Sequence, residues 1–223
     1  MPEVGTPARR RTRLAPEARQ AMILHAAIEF FAEKGFAAQT RELANRLHVS
    51  EPLIYRYFPT KDALIQRVYE EVIESRWDAA WTDGLRDRSI PLRTRMVDFA
   101  QRYLDAIDDP VWVRIVMWAS LDGLDMTRQY ISGHIHDVLA IIAEEAGDSL
   151  GLDQPLGREQ AWHFQSSLIY YLIRKYIHKT WVTEDPAVFV EMTVDAFLAG
   201  LQGSAGDSAA VRRPGRATRR RVG

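Results

Sequence analysis

The 223-residue chain is 47% hydrophobic and 26% charged, contains no cysteine, and has a formal net charge of −1. That length allows one large domain or two small ones, and the apolar share is that of a globular protein. The missing thiol excludes a disulfide framework, a Cys-ligated zinc and a thiol nucleophile, and it fits a reducing cytoplasm; no run of about 18 apolar residues is present to span a membrane, and no apolar signal core opens the chain.

The near-zero total hides an uneven distribution. Residues 1–70 carry 11 Lys/Arg against 8 Asp/Glu, residues 71–202 carry 12 against 21, and residues 203–223 carry 6 against 1. A basic head on an acidic body suggests a polyanion-binding end and a body that a polyanion repels; chance unevenness is the plain alternative. β-branched residues rarely alternate with polar ones and no Asn-Gly or Asp-Gly turn occurs, so the expected fold is all-α.

In chain order, residues 1–14 are Arg-rich and expected to form an unstructured basic arm. A first helix opens at Pro16, repeats apolar residues at Ile23, Ala26, Ala27, Phe30 and Phe31, and stops at Gly35. Two very short helices follow, near 39–47 and 51–57, with Ser50 placed to cap the second. Thr60 caps a longer helix, expected from Lys61 to Trp81, which joins head to body. Further helices are expected near 91–107, 110–121, 126–147, 157–180 and 186–202, with Asp109-Pro110 and Asp185-Pro186 as cap-then-proline starts. Past Gly203 the chain turns to Gly, Ser, Ala and Arg and is expected to be disordered. The division is therefore a basic arm at 1–14, a head at 15–64, a helical body at 65–203 and a basic tail at 204–223.

The segment from Gln39 to Leu64 carries the most chemistry. Helices this short do not stand alone in water and must pack together. At about 100° per residue, Ile54 and Phe58 fall on one side of the second short helix, while Pro52 and Arg56 fall opposite, flanked by Leu53 and Tyr55. An outward Arg can bridge guanine O6 and N7, and Pro52 or Leu53 can touch thymine methyls. Hydroxyls of Ser50, Tyr55 and Tyr57, with Gln39, Thr40 and Arg41 at the preceding helix start, can bond phosphate oxygens. Lys61 lies in the first turn of the next helix, where a cation is unfavourable unless an anion is near. A packed aromatic corner is the plain reading of the same residues.

The stretches R-Q-A-M-I-L-H-A-A-I-E-F-F-A-E-K-G-F and R-E-L-A-N-R-L-H-V-S-E-P-L-I-Y-R-Y-F-P-T-K-D-A-L make residues 19–64 resemble the DNA-binding domain of the tetracycline-repressor (TetR) family of transcriptional regulators. The link from Gly35 to Ala44 is one residue shorter than that pattern, Gln39 stands where Thr is common, and Pro52 where Gly is frequent. The resemblance implies a helix-turn-helix, phosphate contacts at Tyr55, Tyr57 and Lys61, a dimer built by the last two long helices, and a small-molecule effector pocket in the body.

For the dimer face the candidates are Trp162, Ser166, Ile169, Tyr170, Ile173 and Ile177 on one helix and Val188, Met192, Phe197 and Leu201 on the other. For the effector pocket they are Trp77, Trp81, Phe99, Tyr103, Trp112, Met117, Trp118 and Tyr130, a set that equally suits an ordinary aromatic core. The six histidines show no H-E-x-x-H or E-x-x-H spacing, and no phosphate loop or nucleophile elbow appears, so no catalytic residue, metal or cofactor is expected. The resulting expectation is a cytoplasmic, homodimeric, ligand-responsive regulator, most simply a repressor. Its partners are a palindromic double-stranded DNA operator and a partly apolar small molecule, with no membrane. A helical metal-dependent enzyme and a protein-interaction adaptor are the alternatives.

Overall fold

The computed structural model describes residues 15–151 and 156–211, and within them every regular element is helical. Helix α1 (Pro16–Lys34) begins on its proline and buries Ile23, Ala27, Phe30 and Phe31. It ends where Gly35 takes φ 78° and ψ 170° and donates its N–H to Phe31 O at 2.9 Å. Helices α2 (Thr40–Arg46) and α3 (Glu51–Tyr57) are seven residues each, close to their expected bounds. Between them His48 adopts a left-handed φ of 52°, an uncommon state for a residue other than glycine. Leu43, Ala44, Ile54 and Phe58 seat both helices on the α1 core.

Helix α4 (Lys61–Val72) starts as expected, with the Thr60 hydroxyl accepting from Ala63 N–H at 3.0 Å. It does not run on to Trp81. A 3-10 turn (Glu74–Arg76) interrupts it, and α5 (Ala80–Arg86) is a separate short helix. Two side chains account for the break. The Ser75 hydroxyl donates to Glu71 O at 2.6 Å, competing with the helical ladder. The Arg76 guanidinium donates to Ala106 O at 3.0 Å and pairs with Asp109, pinning the turn to the body. Trp77 is then extended, with ψ 130°.

The body continues with α6 (Leu92–Ile107), α7 (Pro110–Leu121), α8 (Asp125–Tyr130), α9 (His136–Leu150), α10 (Arg158–Ile173) and α11 (Pro186–Val211). Asp109 caps α7 through Val111 N–H at 2.8 Å. One π-helical turn (Ile131–Ile135) joins α8 to α9, and a second (Arg174–His178) extends α10. On the second, Lys175 and Tyr176 both reach the Asp108 carboxylate, at 2.7 Å for their shortest bonds. Helix α11 runs nine residues past the expected end at 202, so the expected tail begins inside a helix; the arm at 1–14 and the residues from Arg212 onward lie outside the described residues. The backbone extension has a plain cause: Ser204 to Val211 contains one glycine, Gly206, and two consecutive alanines, Ala209 and Ala210, with no proline to stop the helix.

One buried ion pair ties α6 to α9. Arg95 and Glu145 are both 4% exposed and meet at 2.7 Å, and Arg95 also donates to Leu85 O. Arg88 adds a fork onto Glu145 and reaches Asp148 at 2.7 Å. The Arg88 hydrogen bonds, followed by those of Arg95, hold the Glu145 carboxyl below the usual glutamate range against the opposing effect of burial. A depressed folded-state pKa means that this stability is complete above the unfolded value of about 4.3 and is lost as pH falls through the folded value. Replacing Glu145 by Ala leaves Arg95 charged and buried, and urea unfolding at pH 7 should show a loss of about 3–5 kcal/mol. The difference from the parent should shrink below about pH 4.

Candidate nucleic-acid interface and ligand cavity

The reading face is built on α3. Ile54 is fully buried and Phe58 nearly so, which turns Pro52, Tyr55 and Arg56 outward and leaves Leu53 and Tyr57 half-buried. At the start of α2, Gln39 and Arg41 are exposed; at the start of α4, Lys61 is half-buried. Arg41, Arg56 and Lys61 have no ion-pair partner among the described residues, whereas Arg46 on the opposite side of α2 is held by Glu33 at 3.0 Å and Glu29 at 3.7 Å. Unpaired cations therefore gather around the exposed face of α3 and the helix starts beside it.

Two expected contacts need correction. Ser50 occupies the N-cap of α3, but its side chain makes no cap bond and is left exposed. Thr40 is not a free phosphate donor: it is 4% exposed, and its hydroxyl donates to Glu51 at 2.6 Å and lies 2.7 Å from the Tyr55 hydroxyl. Its small size and its place one residue inside α2 turn it toward α3. The Thr40–Glu51–Tyr55 cluster thereby fixes the Tyr55 ring, which keeps 36% of its surface exposed. The sequence signal for Glu51 as a partner was only its spacing of four from Tyr55.

Head and body meet through α1 and α7. The Trp118 ring lies so close to Gly35 that a Cβ there would sit 3.0 Å from two of its ring carbons. Trp118 therefore packs at the head–body junction.

An apolar cavity of about 380 Å³ lies in the body. Of the eight expected pocket residues it is lined by Tyr103, Trp112 and Tyr130. Trp77 and Trp81 pack on each other at 5.3 Å behind it, and Phe99 stacks on Tyr103 at 5.8 Å. Met117 is a partly buried side chain against the core. Trp77 also stacks on His134 at 4.7 Å beside a smaller, more polar groove with Arg86, Asp137 and Glu144. The cavity wall is completed by Tyr69 from α4, by Val116 and Ser120 from α7, by Thr127, Ile131 and Ile135, and by α10. Of the residues expected at a dimer face, Trp162, Ser166, Ile169, Tyr170 and Ile173 of α10 line this cavity of their own chain. Phe197 packs on Phe164 at 5.2 Å and Leu201 is 3% exposed, so both belong to the core. Tyr170, Ile177, Val188 and Met192 are left as exposed apolar side chains, together with Trp181 at 81% exposure, which sequence reasoning missed because it lies in a loop.

Burial pushes the Tyr69 and Tyr103 phenols up to about 12 each, opposed by the nearby Thr127 hydroxyl and Gln165 amide respectively, and pushes Tyr130 up further. No described group of His, Asp and Glu is arranged to hold a metal ion, and no described helix is long and apolar enough to cross a membrane.

Two substitutions test this architecture. Thr40→Val removes the hydroxyl that joins Glu51 to Tyr55 and should lower stability by about 1–2 kcal/mol in chemical unfolding, with no change in helix content by circular dichroism. Gly35→Ala places a side chain in a backbone region that is nearly glycine-only and against Trp118, and should cost about 1–3 kcal/mol. Adding Trp118→Ala relieves the clash but not the strained φ, so the double variant should recover only part of that loss relative to Trp118→Ala alone.

Residues 23–68 match the model of the bacterial regulatory proteins of the tetR family. No curated protein sequence gives a significant match. Among solved structures, a TetR-family transcriptional regulator from Pseudomonas syringae pv. tomato aligns over 83% of this chain and 97% of its own, at 18% identity and a TM-score of 0.61. AmtR from Mycobacterium smegmatis aligns over 93% and 100%, at 18% identity and a TM-score of 0.61. A tetR-family regulator from Streptomyces coelicolor aligns over 89% and 87%, at 16% identity and a TM-score of 0.53. At these identities the structural likeness speaks for the fold, and the family match speaks for the head. The amino-terminal head is thus a TetR-family DNA-binding domain, carried on a chain with the fold of the TetR-family transcriptional regulators.

Proposed function

We propose that the protein is a ligand-responsive, sequence-specific regulator, most simply a repressor, that binds a palindromic operator in the cytoplasm as a homodimer and is not an enzyme. Residues 15–64 are the reading head and residues 65–203 the effector-binding and dimerising body, with the basic segments at 1–14 and 204–223 available to the DNA backbone. One observation carries the reading: Arg41, Arg56 and Lys61 stand unpaired around the exposed face of α3. A buried or self-paired set of cations in that place would be a structural corner; an unpaired set is a polyanion surface. In this docking α3 enters the major groove, Arg56 reads a base edge, and Gln39, Arg41, Ser50, Tyr57 and Lys61 grip phosphates. Tyr55 contributes from a position that Thr40 has already set.

A head this small spans few base pairs, and useful selectivity needs two of them. The exposed Tyr170, Ile177, Trp181, Val188 and Met192 offer an apolar face for a second copy. The cavity supplies the effector site. Tyr69 carries its occupancy to α4, and α7 carries it to the head through Trp118 on Gly35.

Selection of bound fragments from random DNA tests the whole reading: it should return an inverted repeat, and recovery of unrelated sequences would overturn it. With the selected site, Lys61→Ala should weaken binding to all sequences alike and reduce the slope of log affinity against log salt by about 1. Arg56→Ala should instead relax preference at one base position, at a cost of about 1–3 kcal/mol for the preferred base.

A further inference from the structure

Among the described residues the cavity wall holds no Asp, Glu, Lys, Arg or His, so the space suits an uncharged apolar guest. Those residues leave it open on one side. Ser120 at the end of α7 and Ser166 and Tyr170 on α10 line the cavity and are themselves exposed, Tyr170 at 53%, so the cavity reaches the surface beside α10. A guest held there keeps one side in water.

That mouth lies on the rim of the apolar face. Ser166, Tyr170 and Ile173 recur at helical spacing, and Ile177 follows one turn later on the π-helical extension. The rings of Phe164 and Phe197 meet at 5.2 Å and those of Tyr171 and Phe189 at 4.4 Å, so α11 runs antiparallel along α10. Val188 and Met192, 57% and 60% exposed, are therefore level with the stretch of α10 that carries Ser166 to Ile173. Charge narrows what can cover this face. In a symmetric contact a patch meets its own copy, and unpaired like charges on it would oppose each other. Glu191 and Asp195 share the stripe of Val188 and Met192, and Arg93 of the same chain neutralises both, at 3.1 and 2.6 Å. What the stripe offers outward is apolar and compatible with itself, which favours a second copy over a charged partner.

We propose that a second copy of this chain, seated on Tyr170, Ile177, Val188 and Met192, closes the mouth, so that the effector site is complete only in the dimer. This rests on the readings of the cavity as the effector site and of this face as the dimer face. Ligand and dimer then reinforce each other, because binding linkage is reciprocal. Taking roughly 40 Å² more of an apolar guest out of water is enough for about fivefold in affinity.

The test uses the full chain and N-phenyl-1-naphthylamine, an uncharged fluorescent ring compound. The double variant Val188→Glu/Met192→Glu changes neither the cavity wall nor a buried side chain, and it sets like charges against each other across the symmetry axis, so it should sediment as a monomer. The parent dimer should bind the probe at least about fivefold tighter than this monomer, and saturating probe should tighten the parent dimer, with its two sites, by about the square of that factor. Dilution of the unsubstituted chain through its dissociation range reads the same dependence should the variant not fold. Val116→Trp, which narrows the cavity from α7 and leaves the face alone, should weaken the probe in the dimer. Equal affinity in monomer and dimer overturns the shared site and leaves cavity and dimer face standing. An affinity that Val116→Trp leaves unchanged puts the probe outside the cavity and overturns the inference, and a double variant that stays dimeric overturns the assigned face. A parent chain that is monomeric at every concentration overturns the dimer reading, a probe that binds neither state overturns the cavity reading, and either result takes this inference with it.

Discussion

Helix α3 is seven residues long, so its position is decided by what it leans on and not by its own propensity. That support is apolar: Ile54 and Phe58 are buried in the same core as Leu43 and Ala44 of α2 and the inner face of α1. Each partner fixes one degree of freedom. Ile54 and Phe58 fix which face of α3 is outward. Thr40 fixes the distance between α2 and α3 by holding Glu51 and Tyr55 at once. Gly35 fixes where α1 stops, because only a residue without a Cβ can take its φ of 78° beneath the Trp118 ring. The exposed face is therefore a consequence of buried contacts on the other side.

The same contacts connect the face to the cavity. Helix α7 is two-sided: Trp112, Val116 and Ser120 line the cavity, while Trp118 bears on Gly35. Helix α4 carries Lys61 in its first turn and Tyr69 two turns later, in the cavity wall. Both elements are stiff over these few residues, and packed interiors shift between discrete arrangements more readily than they deform. The break after Val72 keeps this span short. Had α4 continued to Trp81, its far half would have been anchored in the Trp77–Trp81–Tyr103 cluster, and any motion at Tyr69 would have had to drag that cluster along.

The head was legible from the sequence because local rules act on it directly: proline at the start of α1, glycine at its end, threonine before α4, and an apolar spacing that sets Ile54 and Phe58 inward. The turn at His48 was not, since a left-handed non-glycine residue leaves no compositional mark. The break in α4 was hidden for a related reason. Arg76 holds the break through bonds whose partners, Ala106 and Asp109, lie some 30 residues away, and Ser75 adds only a local bond to Glu71. In the body, aromatic content pointed to a pocket but not to its wall. Periodicity marks a residue as apolar-facing without saying whether it meets a cavity, a core or a second chain. Ile169, Tyr170 and Ile173 on α10 show this: a stripe that reads as a dimer face also lines a cavity, and Tyr170 is exposed at the same time.

Charge shows the same limit. A chain with net charge −1 has no overall attraction for a polyanion, so what matters is which cations remain unspent. In the body, Arg76, Arg88, Arg93, Arg95 and Lys175 each meet a carboxylate of the body itself. These pairs tie the turn after α4, the loop after α5, α6 and the π-helical extension of α10 to carboxylates of α9, α11 and the Asp108–Asp109 corner. In the head, Arg41, Arg56 and Lys61 have no such partner, and each is attached to a helix whose position is set by buried contacts. Only cations that are not already paired can neutralise phosphates and displace their counterions into solution. The acidic excess of residues 71–202, 21 carboxylates against 12 cations, makes the body a poorer partner for a polyanion than the head.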